Sequence, residues 1–122
     1  MRITLLALAC CISASALAAP IATEHYTSES VVYRCAGGTR LAVAYLNLKS
    51  GESLATLYLR GRQYVLRSAP SGSGMRYVSL DEQAGYRWYT NADEGTLAHL
   101  PADHTAKEHV LRKNCRVIRD IK

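Results

Sequence analysis

Phenylalanine is missing from these 122 residues and tryptophan occurs once, so eight tyrosines supply most of the aromatic area. Tyrosines serve a recognition surface, where an apolar ring carries a polar tip, but they serve equally a small barrel whose aromatics reach from core to rim. The structural reading is the stronger of the two. Catalytic signatures are missing as well. Neither Ser71 nor Ser73 has glycine both two before and two after, which excludes a nucleophile elbow. No P-loop, dinucleotide fingerprint or H-E-x-x-H is present, so phosphate-cradling, Rossmann-type and zincin chemistry are all excluded. His104 and His109 are five apart, a poor helical spacing for a metal, and read as solvated surface histidines. Asp93 and Glu94 are adjacent, and neighbouring strand residues face opposite ways, so they suit a turn better than a paired acid and base. No catalytic set, cofactor motif or metal site emerges, and the chain is expected not to be an enzyme.

Long apolar runs are scarce too. One extends from Ile3 to about Ala14, behind the positive start Met1-Arg2 and ahead of Ala16-Leu17-Ala18. It is several residues short of the ~20 that a spanning helix needs, and it has the three parts of a secretory signal peptide cleaved after Ala18. Cys10 and Cys11 lie inside it, and neither has the flanks of a lipid-modified cysteine: Ala7 stands three before Cys10, and Cys10 itself precedes Cys11. The expected product is therefore periplasmic or secreted, without lipidation or stable membrane insertion. Removing Arg2 with the leader leaves fourteen cationic side chains against ten carboxylates, a net +4. That balance permits an anionic partner and selects none. Arg60, Arg62, Arg67, Arg76 and Arg87 scatter over both strand faces, and no nucleic-acid signature accompanies them.

Cysteine is sparse in what remains. Only Cys35 and Cys115 survive, near the two ends of the exported chain. An oxidising compartment favours their pairing, whereas two distant cysteines without a C-x-x-C companion make a poor metal site. About a hundred residues form one domain with a modest core. Residues 19–30 are polar and without period, and read as a flexible arm; residues 31–122 read as a barrel domain.

From Val31 the pattern is short strands with glycine or polar turns between most of them. Val31–Cys35, Leu41–Leu46, Ser53–Leu59, Gln63–Leu66, Arg76–Leu80, Tyr86–Thr90, Gly95–Leu100 and about Cys115–Ile118 are the candidates. The class is all-β, an antiparallel barrel or sandwich, and closure into a barrel is favoured because it removes free edges. Pro101 to Leu111 interrupts the series, either as a short helix capped by Asp103 or as an irregular crossover.

The most informative stretch is Ser71-Gly72-Ser73-Gly74-Met75-Arg76-Tyr77. Glycines add no bulk where a narrow cleft must admit the chain, and short hydroxyls bond polar groups at little entropic cost. A loop so built, anchored on a stiff strand, can enter a partner's pocket; the plainer reading is a flexible hairpin.

Taken in order, Val31-Val32-Tyr33-Arg34-Cys35, Gly37-Gly38, Val43-Ala44-Tyr45, Tyr64-Val65-Leu66, the Ser-Gly-Ser-Gly-x-Arg-Tyr run, the Trp88 strand and Cys115 resemble the bacterial inhibitors of c-type lysozyme. The resemblance covers nearly all of the exported chain. It implies an eight-stranded antiparallel barrel closed by a Cys35–Cys115 bridge, with c-type lysozyme as the protein partner. It implies that Ser71, Gly72, Ser73 and Gly74 enter the active-site cleft, where serine hydroxyls bond the two catalytic carboxyls. It makes Arg76, Tyr77 and Asn91 lysozyme-binding residues as well, with Tyr77 and Trp88 supporting the loop and Asn91 in the neighbouring one. The second family motif, roughly Trp-x-Lys-Gly-Asp-Glu-x-x-Leu, is one residue longer here, and Asn91-Ala92 stand where Lys-Gly would fall. A competing reading is a cell-envelope barrel that binds an anionic glycan or a small apolar ligand in a cavity lined by its strands.

Overall fold

A computed structural model describes residue 11, residues 25–81, 83–103 and 105–119. The expected leader and its cleavage site lie outside the described residues, Cys11 excepted. Eight strands follow one another: β1 (Tyr26–Arg34), β2 (Arg40–Leu48), β3 (Ser53–Leu59), β4 (Arg62–Ala69), β5 (Met75–Ser79), β6 (Tyr86–Asn91), β7 (Glu94–His99) and β8 (His109–Val117). They close into a single antiparallel barrel in sequence order.

Alternation decides which way each strand faces. Leu41 and Val43 are buried while Ala42 and Ala44 are exposed, and Ser53, Ala55 and Leu57 repeat the pattern on β3. The barrel's centre is filled by Trp88, wholly buried, with the Tyr33 ring set edge-on at 5.0 Å. Gly95 makes room for it, because a Cβ there would lie 2.3 Å from the indole Cη2. Leu41, Leu57, Leu66 and Leu97 complete the packing around it, so no ligand-sized space runs through the middle.

The seam is the weakest part of the circuit. Among the described residues β1 and β8 pair through Tyr33↔Val117 and Arg34↔Arg116, with one further bond from Ile118 N to the Val32 carbonyl, and register shifts interrupt β7–β8. The Cys35–Cys115 disulfide sits at this seam and ties positions 80 apart in sequence. On the chain-entropy model so long a closed loop stabilises by about 4.5 kcal/mol.

β2 and β4 run on to Leu48 and Ala69, past the ends read in the sequence, and two other strands begin several residues earlier than read. β1 begins at Tyr26, so residues 26–30 of the expected flexible arm are paired strand, with Tyr26↔Leu48 and Ser30↔Ala44 in register. This end of β1 is exposed on both faces, so no apolar period marks it. β8 begins at His109, well before Cys115, and its first residues are likewise mostly exposed. The described residues before it form an irregular crossover, the second of the two expected alternatives: Asp103 accepts bonds from the backbone and hydroxyl of Thr105, and the polypeptide then enters the strand.

Candidate functional site

Antiparallel alternation sends the β2–β3, β4–β5 and β6–β7 turns to one end of the barrel. The β4–β5 connection contains Ser71 to Gly74, all four exposed. Two contacts fix its shape. Ser71 Oγ donates to the Ser73 carbonyl at 2.9 Å, bracing the loop across its tip. Gly74, at φ +64°, presses against β6 so closely that a Cβ would fall 2.2 Å from the Thr90 carbonyl oxygen and 3.3 Å from the Asn91 Cβ. Only glycine fits there, for conformation and for space. At Gly72 an added Cβ would meet nothing within 4 Å. Nothing in the barrel demands that glycine.

Gly74 thus brings Asn91 beside the Ser-Gly loop. Asn91 pairs with Glu94 across the β6–β7 hairpin, whose tip holds Ala92 at φ 52° in the left-handed region. Ser73, Met75 and Asn91 line a cleft of about 210 Å³, together with Glu94 and Asn114. Among the described residues Ser73 Oγ makes no hydrogen bond, so its donor is free.

Beneath the loop the barrel is polar and bonded. Tyr77 Oη and Ser53 Oγ are 3.1 Å apart, Ser53 Oγ donates to Asn47 Oδ1 at 2.7 Å, and Ser53 N donates to Ser68 Oγ at 3.1 Å. Deeper, Trp88 Nε1 donates to Tyr45 Oη at 2.8 Å, and the Tyr45 and Tyr33 hydroxyls meet at 2.8 Å. Burial pushes the Tyr33 and Tyr45 phenols above the usual phenol range, Tyr45 far above it. They stay neutral and bonded, while the Ser53 bonds tie Ser68 and Tyr77 on either side of the loop.

Arg76 and Tyr77, adjacent on β5, face opposite ways. Tyr77 is 4% exposed and faces inward, so it supports the loop from below and offers no surface to a partner. Arg76 lies on the outer wall opposite Tyr89, whose hydroxyl donates to Glu108 Oε2 at 3.0 Å. Burial and the Glu108 carboxylate raise the Tyr89 phenol. Asp93 and Glu94 do not act as a pair: each meets its own arginine, Asp93 with Arg119 and Glu94 with Arg116. Among the described residues no group of three or more His, Cys, Asp or Glu side chains is placed to hold a metal. Thr90, whose carbonyl clamps the loop, and the Ser53–Asn47–Ser68 cluster carried no motif. Their one sequence signal was a polar residue at an inward position of a strand.

A filled, disulfide-tied barrel with one braced loop standing in solvent is a loop-presenting scaffold. Residues 33–105 match the family described as membrane-bound lysozyme-inhibitor of c-type lysozyme, and the chain belongs to that family. A membrane-bound lysozyme inhibitor of C-type lysozyme from Cupriavidus necator is 35% identical over 71 residues, 58% of this chain. The chain spans about half (53%) of that relative's length. Among solved structures, the periplasmic inhibitor of C-type lysozyme from Salmonella typhimurium superposes with a TM-score of 0.67 at 19% identity, over 76% of this chain and 100% of the other. MliC of Pseudomonas aeruginosa, solved in complex with hen egg white lysozyme, gives 0.59 at 23% identity, over 97% and 98%. These two likenesses establish the shared barrel.

Proposed function

We propose that the mature protein is a periplasmic inhibitor of c-type lysozyme and has no catalytic activity of its own. Its Ser71–Gly74 loop occupies the enzyme's active-site cleft. The observation that carries this reading is the loop's construction: a slim projection, exposed at every residue, clamped at Gly74 and unencumbered at Gly72.

The chemistry follows from what the target needs. A retaining glycosidase uses one carboxyl as acid and a second as nucleophile or stabiliser, and both must face the sugar. A loop that bonds those carboxyls and fills the space between them inhibits by occupancy. The hydroxyl free to donate is that of Ser73, because the Ser71 proton is committed to the Ser73 carbonyl. Ser73 is therefore the contact to a carboxylate, and Ser71 holds the loop in the shape that delivers it. Gly72 keeps the tip narrow, and Gly74 sets the angle at which the loop leaves the barrel.

Asn91 takes the adjacent position from the β6–β7 hairpin. It offers an amide where the family pattern has lysine, so the second contact is a neutral hydrogen bond in place of an ionic one. Arg76, on the outer wall, contributes at the rim of the interface. With a net +4 against an enzyme that is typically basic, long-range steering gives no advantage, and association proceeds at an ordinary rate.

The test is lysis of peptidoglycan-bearing cells by c-type lysozyme with purified mature protein added. Stoichiometric protection at micromolar concentration is expected, with co-elution of the two proteins on gel filtration. Unimpeded lysis and separate elution would refute the reading.

A further inference from the structure

The opposite mouth of the barrel is open and chemically distinct. The β3–β4 turn, the start of β6, the end of β7 and the early part of β8 meet there around a cavity of about 280 Å³. Leu59, Leu97 and Leu111 supply its apolar lining, Tyr86 and His99 its aromatic side chains, and Arg60 and Arg112 its charge. Tyr86 is held between neighbours, 4.6 Å from the Tyr64 ring and 5.4 Å from His99, so the aromatic wall is fixed. No carboxylate lines the cavity. Among the described residues neither Arg60 nor Arg112 has an acidic partner, the ion pairs being Arg116–Glu94 and Arg119–Asp93. Arg112 spends one donor on the Leu111 carbonyl, and most of its guanidinium donors remain.

Arg60 adds an independent observation. It occupies the first position of a two-residue hairpin at φ 49°, in a region where asparagine or glycine sits easily. Arginine is not among the residues that this turn position favours, so the turn itself does not account for it.

We propose that this mouth binds a single sugar-sized ring bearing one acidic group, a carboxylate or a phosphate. The two guanidiniums supply the planar, forked donors that such anions accept. The Tyr86 ring gives a flat apolar surface for the C–H face of the sugar, and the His99 imidazole bonds a hydroxyl. The cavity has room for one ring. The site lies across the barrel from the Ser71–Gly74 loop, and it stands whether or not that loop blocks lysozyme.

The experiment is an NMR titration of the oxidised mature protein with N-acetylmuramic acid, glucuronic acid, glucose 6-phosphate and neutral N-acetylglucosamine. The acidic sugars are expected to saturate in the millimolar range, shifting the amides of Arg60, Tyr86, His99 and Arg112 and leaving Ser71–Gly74 unmoved. N-acetylglucosamine should bind at least about tenfold more weakly, as loss of a charge-assisted pair requires. Arg60→Gly removes the guanidinium while relieving the left-handed strain, so the fold is kept; it should weaken acidic sugars by about tenfold or more, and Arg112→Gln should act alike. Preference for the two carboxylates over the phosphate assigns a carboxylated source, and the reverse a phosphorylated one. Equal binding of the neutral sugar, unchanged binding by Arg60→Gly, or no shifts at about 10 mM would overturn the proposal. Lysozyme inhibition measured beside it, with and without the sugar acid, reports separately on the loop.

Discussion

The two serines of the loop are chemically identical and differ in what they bond, which separates their expected roles. In the free protein Ser73 Oγ makes no hydrogen bond among the described residues, so Ser73→Ala removes nothing from the fold. Its whole effect falls on the complex, where a hydrogen bond to a charged acceptor is worth about 1.5–3 kcal/mol, roughly a ten- to hundredfold rise in inhibition constant. Ser71→Ala instead removes the 2.9 Å bond to the Ser73 carbonyl. That is an exposed neutral bond worth at most about 0.5–1.5 kcal/mol, and the variant loosens the loop without deleting the contact. Its inhibition constant should rise by less than about tenfold. The assay is a lysozyme lysis curve at several inhibitor concentrations, with thermal unfolding of each variant as a control for the fold. Ser73→Ala should unfold within about 0.5 kcal/mol of the parent, as exposed positions do, and Ser71→Ala should lose no more than the about 0.5–1.5 kcal/mol of its one bond. If Ser71→Ala weakens inhibition as much as Ser73→Ala or more, the assignment of the free donor is wrong.

Gly72→Ala should leave stability unchanged, since its Cβ meets nothing within 4 Å, yet weaken inhibition because the tip widens inside a cleft; equal potency in the lysis assay would remove the steric argument. Gly95→Ala places a methyl 2.3 Å from the Trp88 ring, and overpacking of this kind should cost about 1–3 kcal/mol or more by urea denaturation. Ala92→Gly relieves a left-handed alanine and should stabilise by about 1 kcal/mol in the same measurement. Reducing the Cys35–Cys115 bridge should lower stability by up to about 4.5 kcal/mol, with early hydrogen exchange at the two-pair β1–β8 seam; a loss spread evenly over all strands would contradict the seam's weakness.

Much of this fold was legible because the strands that build the core alternate cleanly. β2, β3 and β6 carry inward Leu41, Val43, Leu57 and Trp88 at a period of two, and glycine or polar pairs mark their ends. The first half of β1 and the first half of β8 were missed for a shared reason. Each lies where the seam leaves it open to water, and a strand wetted on both faces leaves no apolar period. Asp103 does hold Thr105 as a cap would, yet β7 demands a partner strand, and tertiary pairing overrode the local helix signal. Ser71 to Gly74 and Asn91 were singled out from the motif, and the close approach of Gly74 to Thr90 makes them neighbours. Tyr77 could not be sorted by sequence alone, because a tyrosine next to a binding loop looks the same whether its hydroxyl meets a partner or, as here, Ser53.

The most direct measurement is a crystal structure of the mature protein bound to a c-type lysozyme. Ser73 Oγ is expected about 2.6–3.0 Å from an oxygen of one active-site carboxyl, with Ser71 still bonded to the Ser73 carbonyl and Asn91 at the cleft's edge. A complex docked through another face of the barrel, with the cleft empty, would contradict the account.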